Sequence, residues 1–246
     1  MIIPKLIAHN QDSLREAFGK ALCILAKKYK NFYVFDGDLA GGTGVHHFRK
    51  KFKSRFIQCG IAEQNMICAA AGFSASGKIV FATTFSIFSL RAIEQTILSI
   101  AYTKRNVKIV ASHPGLDVGP DGASAQCLED LACFRSIPNM VVLSPADPIE
   151  MLKATEAIIK YKGPVYMRTG RSPTQKIFNK KYQFKIGKGN VLKLGKDLTI
   201  ICCGVQVRRS LKAAKILEKK GIKATVINMA SIKPIDEKLI VKFAKK

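Results

Sequence analysis

Apolar positions along this 246-residue chain switch repeatedly between a helical and an extended period. Leu14, Ala17, Phe18, Leu22, Leu25 and Ala26 recur at helical spacing and predict a helix over 12–29, followed by a strand at 31–36, "NFYVFD". A glycine-rich loop, "GDLAGGTGV", comes next, then a strand at 55–58 and the stretch "CGIAEQNMICAAAGF". After Glu63 this stretch holds Met66, Ile67, Ala69, Ala70, Ala71 and Phe73, so its helix is expected to be largely buried. The strand "KIVFAT", a helix from Phe85 to Tyr102 and a strand at 107–111 lead into a long polar loop, "SHPGLDVGPDGASAQ". A strand at 140–143 precedes "SPADPIEM", where Asp147 caps a helix, Pro148 takes its first position and Glu150 completes a capping box. A strand at 164–168 closes this unit.

Short, almost continuously apolar strands alternating with helices argue an α/β fold, a mainly parallel sheet flanked by helices on both faces. From Ser172 to Lys188 the chain turns polar and basic, which reads as a linker. A second unit begins with strands near 189–194 and 198–203, a helix over 206–220 ended by Gly221, a strand at 223–228 and a helix from about Asp236. The expected organisation is a first domain at 1–171, a linker at 172–188 and the start of a second, incomplete α/β domain at 189–246. So few elements are too little for a self-sufficient α/β domain.

Composition narrows the class. No run approaches the roughly 18 apolar residues of a membrane span, and "MIIPKLIAHNQ" is too soon interrupted to be a signal peptide. Seven cysteines without a CxxC pair read as reduced core residues of a cytoplasmic protein. Lysine plus arginine number 41 against 17 acidic residues, a formal charge of +24. That excess raises nucleic-acid binding, but it is spread over "KKYK", "RKKFKSR", "NKKYQFK" and "LEKKGIK" without a reading motif. Solvated lysine faces, helped by anionic ligands or an acidic partner, are the expectation, with no nucleic acid and no membrane as partners.

Glu63 is the residue that asks for chemistry. A carboxylate inside an apolar helix is costly unless something pairs with it or needs it. On pattern alone, a capping role at the helix start and a functional role fit equally.

Taken in order, "IAEQNM", "TTFSIFSLRAIEQ", "SHPGLDVGPDG…LEDLACFRSIPNM…SPAD" and "IKPID" resemble transketolase, from about Arg15 to the end of the chain. The match is to the pyrimidine-binding domain and the start of the C-terminal domain, as in the second subunit of a split transketolase. The resemblance implies a thiamine diphosphate cofactor whose aminopyrimidine N1′ bonds to Glu63, so that the 4′-nitrogen can take the C2 proton. It implies an aromatic seat at Phe85 and Phe88 for the pyrimidine ring, although two phenylalanines at helical spacing are also ordinary core. Arg91, one turn on, and Asp38, after the first strand, complete the implied cofactor contacts.

The same resemblance makes His113 a catalytic residue that, with Asp121, contacts the hydroxyls of a ketose donor. Arg15 and Arg171 match the arginines that clamp the acceptor phosphate; as plain residues they also suit surface ion pairs. The implied activity is transfer of a two-carbon ketol unit between sugar phosphates, in the pentose phosphate pathway. The family's Gly-Asp-Gly…Asn metal motif has no match: the order here is Asp36-Gly37-Asp38-Leu39. No metal ligands are therefore expected on this chain. Mg²⁺ and the diphosphate fall to an N-terminal, diphosphate-binding subunit, with a homodimer formed through the pyrimidine domains and no activity from this chain alone.

Two positions depart from the family. Ala125 stands where many transketolases have a second substrate-binding histidine or a glutamine, and Gly42 where they have a phosphate-binding serine. These departures bear on sugar-phosphate specificity, not on the cofactor, and they keep a degenerate non-catalytic homologue as an alternative. A deoxyxylulose-phosphate synthase-like enzyme or a 2-oxo acid dehydrogenase beta subunit is a further alternative, but either would be expected to lack His113 and "RTGR".

Overall fold

A computed structural model of the chain describes residues 12–245; the rest of the expected first domain, 1–11, and Lys246 lie outside the described residues. Strand β1 (Asp12–Ser13) runs into α1 (Leu14–Lys28), whose first turn is capped by Ser13 Oγ accepting from Glu16 N at 3.4 Å. There follow β2 (Phe32–Asp36), the short helices α2 (Ala40–Thr43) and α3 (His46–Lys51), β3 (Phe56–Gln58), α4 (Glu63–Ala75) and β4 (Ile79–Phe85). A broken helix comes next: α5 (Ser86–Ser89) and α6 (Ile93–Gln95), running on into a π-helical stretch, Thr96–Tyr102. Then come β5 (Val107–Ser112), α7 (Asp130–Ser136), β6 (Val141–Leu143), α8 (Pro148–Lys160), β7 (Val165–Thr169) and β8 (Pro173–Thr174), which pairs with β1. The remainder holds β9 (Asn190–Lys193), β10 (Leu198–Cys202), α9 (Gln206–Glu218), β11 (Ala224–Asn228), β12 (Ser231–Lys233) and α10 (Glu237–Ala244).

Seven strands form the main sheet in the order β12-β6-β7-β5-β4-β2-β3, all parallel except β12, which runs antiparallel to β6. Because side chains alternate across a strand, the sheet feeds two cores. Phe81 joins Phe18, Leu22 and Phe32 under α1 and α8, while its neighbours Val80 and Ala82 join Met66, Ile67 and Ala70 of α4 on the other face. This is the helix-covered, mainly parallel sheet that the apolar pattern predicts. A second sheet, β10-β11-β9, carries α9 against Ala224 and Val226.

Several expectations change. The segment 172–188 is not a loose linker: Phe178, Tyr182, Phe184 and Ile186 pack on the first core, and the amides of Ile177 and Phe178 donate to Asp147 Oδ2 at 2.6 and 2.8 Å. Apolar residues every second to fourth position did the work that the polar composition concealed. Asp147 caps α8 as expected, but Glu150 accepts from Ala146 N, at 2.7 Å, instead of closing the box on Asp147. Its other bonds, from Tyr182 Oη (2.6 Å) and Asn228 Nδ2 (2.8 and 3.0 Å), tie α8 to the 172–188 segment and to β11; burial pushes the Glu150 carboxyl up to about 7.

Helix α4 is buried on one side only. Gln64, Asn65, Cys68, Ala69 and Gly72 face outward, so Cys68 is not the core cysteine expected of it. All seven cysteines are free. Lys108 breaks the rule of solvated lysines: it is fully buried at the start of β5, donates to the carbonyls of Tyr161 (2.8 Å) and Gly163 (2.5 Å), and is pushed down to about 7. Among the described residues, no helix is long and apolar enough to cross a membrane.

Candidate active site

In a parallel sheet every strand ends at the same edge, and the turns leaving that edge face a common crevice. Register fixes the alignment here: Asp36 lies beside Gln58 and Thr83, Phe85 beside Ser112, and Ser112 beside Thr169. Asp38, Glu63, Phe85, His113 and Arg171 therefore all follow, or end, strands at this edge.

One contact group gathers most of the expected site. Phe85 ends β4 and is not the first residue of a helix; its ring stacks on His113 with centroids 3.8 Å apart and lies nearly parallel to Phe88 at 5.6 Å. His113 is buried at 1% exposure in a left-handed backbone conformation, φ 60°, that non-glycine residues rarely adopt. Its Nε2 faces Asp121 Oδ2 at 3.3 Å and its Nδ1 faces Ser112 Oγ at 2.9 Å. A carboxylate can only accept, so in the neutral ring Nε2 carries the hydrogen and Nδ1 is bare; the Ser112 hydroxyl, with one hydrogen to give, lies within reach of both Nδ1 and Gly42 O, the latter at 3.1 Å. Burial pushes the imidazole down from 6.5 to about 4, against the pull of Asp121, so it is neutral near pH 7.

Asp121 also accepts from Arg171 Nε at 2.9 Å, which links the second expected arginine to the histidine. Arg15, on the first turn of α1, donates through Nη1 to Gly42 O at 3.1 Å; its Nε is buried with no hydrogen-bond partner among the described residues. Gly42 lies against Phe85, and Ala125 is buried with Phe85 and Val118. The two positions that depart from the family pattern thus close on the same aromatic ring.

Glu63 stands apart from this group. It opens α4 with 3% exposure, and among the described residues its carboxylate takes no hydrogen bond, the nearest cation being Arg91 Nε at 4.0 Å. The Arg91 side chain is 65% exposed. Asp38 also stands apart, exposed and at φ 62°, with Gln58 Nε2 donating to its Oδ1 at 3.0 Å and to Asp36 Oδ2 at 3.2 Å.

Ser112 and Gln58 were not among the expected residues. Each is the polar last residue of a strand at the crevice edge, and that position is the signal that singles them out. A third polar group joins the buried Asp130 and Tyr166 to the partly exposed Arg168: Asp130 accepts from Tyr166 Oη at 2.6 Å and from Arg168 Nε at 2.7 Å.

Residues 11–176 match the family described as the pyrimidine-binding domain of transketolase, and residues 187–246 match the transketolase C-terminal domain. The chain belongs to the transketolase family. It is 49% identical, over 93% of its length and 73% of the relative's, to a putative transketolase C-terminal section of Methanocaldococcus jannaschii. A 6-deoxy-6-sulfo-D-fructose transketolase subunit of Clostridium sp. (strain MSTE9) is 37% identical over 95% of this chain and 73% of that one. Among solved structures, one described as a split gene transketolase, inactive beta4 tetramer, superimposes with a TM-score of 0.88 at 46% identity, covering 95% of this chain and 76% of the other. The sequence resemblance to the C-terminal part of a split transketolase is borne out by these relatives, and the mainly parallel sheet is the pyrimidine-domain fold of this family.

Proposed function

We propose that this chain is the pyrimidine-binding subunit of a two-polypeptide transketolase, a cytoplasmic enzyme that moves a two-carbon ketol unit between sugar phosphates. One observation carries the reading: Glu63 is a buried carboxylate at the sheet's carboxyl edge with no hydrogen-bond partner among the described residues. Burying such a group with no hydrogen bond and only a long, 4.0 Å ion pair to Arg91 is costly, and a ring nitrogen of a bound pyrimidine would supply a bond. The residues present therefore fit the pyrimidine end of thiamine diphosphate, with Glu63 holding a proton against N1′ and Phe85 and Phe88 offering aromatic faces. When bound, that cofactor supplies the nucleophilic carbon that carries the ketol unit. Arg91 and Asp38 serve as further cofactor contacts.

The rest of the site suits a sugar phosphate. Neutral His113 presents Nε2–H and Asp121 an accepting carboxylate, a complementary pair for sugar hydroxyls. Arg15, with its unpartnered buried Nε, and Arg171 supply guanidinium donors for a phosphate. Asp36 is fully buried and its carboxylate accepts from Leu39 N and Gln58 Nε2, so its oxygens are engaged within the fold. With no Gly-Asp-Gly…Asn motif in the sequence, Mg²⁺ and the diphosphate are assigned in this reading to a separate N-terminal subunit, with two copies of this chain pairing through their pyrimidine domains.

A non-catalytic homologue is the second reading, favoured by the apolar closure of Gly42 and Ala125 on Phe85. Co-expression with a diphosphate-binding chain, followed by assay with xylulose and ribose phosphates, separates the two. Ketol transfer by the complex and none by this chain alone is expected. Turnover by the highly purified chain alone overturns the two-chain reading, and no turnover by any reconstituted complex favours the non-catalytic one.

A further inference from the structure

Glu16, His46 and His47 come together outside the candidate active site. Glu16 lies in the first turn of α1, and the two histidines open α3. Adjacent helical positions point about 100° apart and do not normally face one another. Here both imidazoles nevertheless turn to the same carboxylate: their centroids are 3.9 Å apart, and His47 Nε2 sits 2.7 Å from Glu16 Oε2. One ligand atom from each of the three residues lies within 4.8 Å of the others. All three are partly exposed, so water can reach a fourth position.

We propose that these residues form a site for a divalent transition-metal ion, with zinc the best fit. Two imidazoles and a carboxylate are a borderline donor set that selects Zn²⁺ over Mg²⁺ or Ca²⁺, which demand oxygen ligands. Tetrahedral zinc with bonds of about 2.0–2.1 Å holds its ligand atoms roughly 3.3–3.5 Å apart. The observed spread reaches that spacing by side-chain rotation, the 2.7 Å pair opening and the widest pair closing. His46 already has the outer contact that metal-bound histidines show: its Nδ1 lies 3.4 Å from Ala40 O, and donating there leaves Nε2 for the ion. Histidines on one element and the glutamate on another, 30 residues apart, form no spacing motif, which is why the sequence pattern offers no metal set here.

The site braces the candidate active-site loop from behind. Glu16 follows Arg15, whose guanidinium holds Gly42 O, and His46 holds Ala40 O at the start of the same loop. An ion bound between them would fix the first turn of α1 to the Ala40–Thr43 turn.

The test is binding of Zn²⁺ or Co²⁺ alone to the full chain, and it does not depend on ketol transfer. Calorimetry is expected to show one Zn²⁺ per chain, weakened at least about tenfold by His47→Ala or Glu16→Gln and unchanged by Cys68→Ser. Zn²⁺ should raise the melting temperature of the parent chain but not of the His46→Ala/His47→Ala double variant. Co²⁺ should give tetrahedral visible bands without a thiolate charge-transfer band, a readout that needs no variant. Absence of stoichiometric binding, binding that survives the double substitution, or a thiolate band from cysteine ligation would each overturn the proposal.

Discussion

Phe85 and Gly42 meet so closely that a Cβ on Gly42 would fall 2.4 Å from Phe85 Cε1 and 2.7 Å from Cζ. The ring cannot yield easily, because it is also held by the stacked His113, the parallel Phe88 and the buried Val118 and Ala125. The backbone at Gly42 does not need glycine for its φ; the ring needs it. The missing serine is therefore not a free loss of a phosphate contact but one side of a packing arrangement.

Restoring the family serine should accordingly do harm. Gly42→Ser is expected to destabilise the chain by about 1–3 kcal/mol, the usual cost of overpacking a closed site. Phe85→Leu in the same molecule should recover most of that loss, so the two substitutions will be strongly non-additive in urea denaturation. Additive effects would show that the ring has room to move.

Stability should fall in acid through His113. Its folded pKa, about 4, lies below the ordinary 6.5, so the unfolded chain binds the extra proton first. The contribution is complete above about 6.5 and is lost as pH falls toward about 4. Glu150 acts in the opposite sense, being raised from 4.5 to about 7, so that its contribution is lost as pH rises through that range. Comparing the pH dependence of melting in the parent chain and His113→Asn isolates the first effect: the variant should lose less stability between pH 6.5 and 4. Parallel curves would contradict the buried, neutral imidazole.

The fold was largely legible in the sequence, since apolar runs such as 32–36 and 79–85 feed two cores and can only be strands of a covered sheet. What escaped was decided by contacts between distant segments. Phe178 and Tyr182 look like linker residues until they stack on each other at 3.8 Å over the core, and Ser231–Lys233 shows no strand pattern yet joins the main sheet beside β6. The site was legible where a residue type is improbable in its surroundings, as with Glu63. Ser112 was not, because a serine at a strand end looks unremarkable until it is seen to lie 2.9 Å from the buried His113 ring.

Glu63→Gln tests the cofactor assignment directly. The amide keeps the shape of the side chain but cannot hold a proton against a pyrimidine nitrogen as a carboxyl can. In the reconstituted complex, exchange of the C2 proton of bound thiamine diphosphate, followed by NMR, is expected to slow by about a hundredfold or more. Cofactor binding should change far less. Near-normal exchange would return Glu63 to the helix-start role that its position also allows.

The outward face of α4 and the π-helical stretch should be where two copies meet. Ile61, Leu98 and Tyr102 are 77%, 56% and 80% exposed, and Ile97 adds to the same stretch. Next to them α4 shows Cys68, Ala69 and Gly72, small side chains that let another helix come close. Large apolar side chains exposed together on neighbouring elements mark an interface more often than a solvated face, and a stable one buries about 800 Å² per partner. Leu98→Arg with Tyr102→Arg places two charges there without touching the core, so the variant should fold normally, as read by circular dichroism. Sedimentation should show the parent chain as a dimer or larger assembly and the variant as a monomer at the same micromolar concentration. A parent chain that sediments as a monomer, or a variant that still associates, would move the contact to another face.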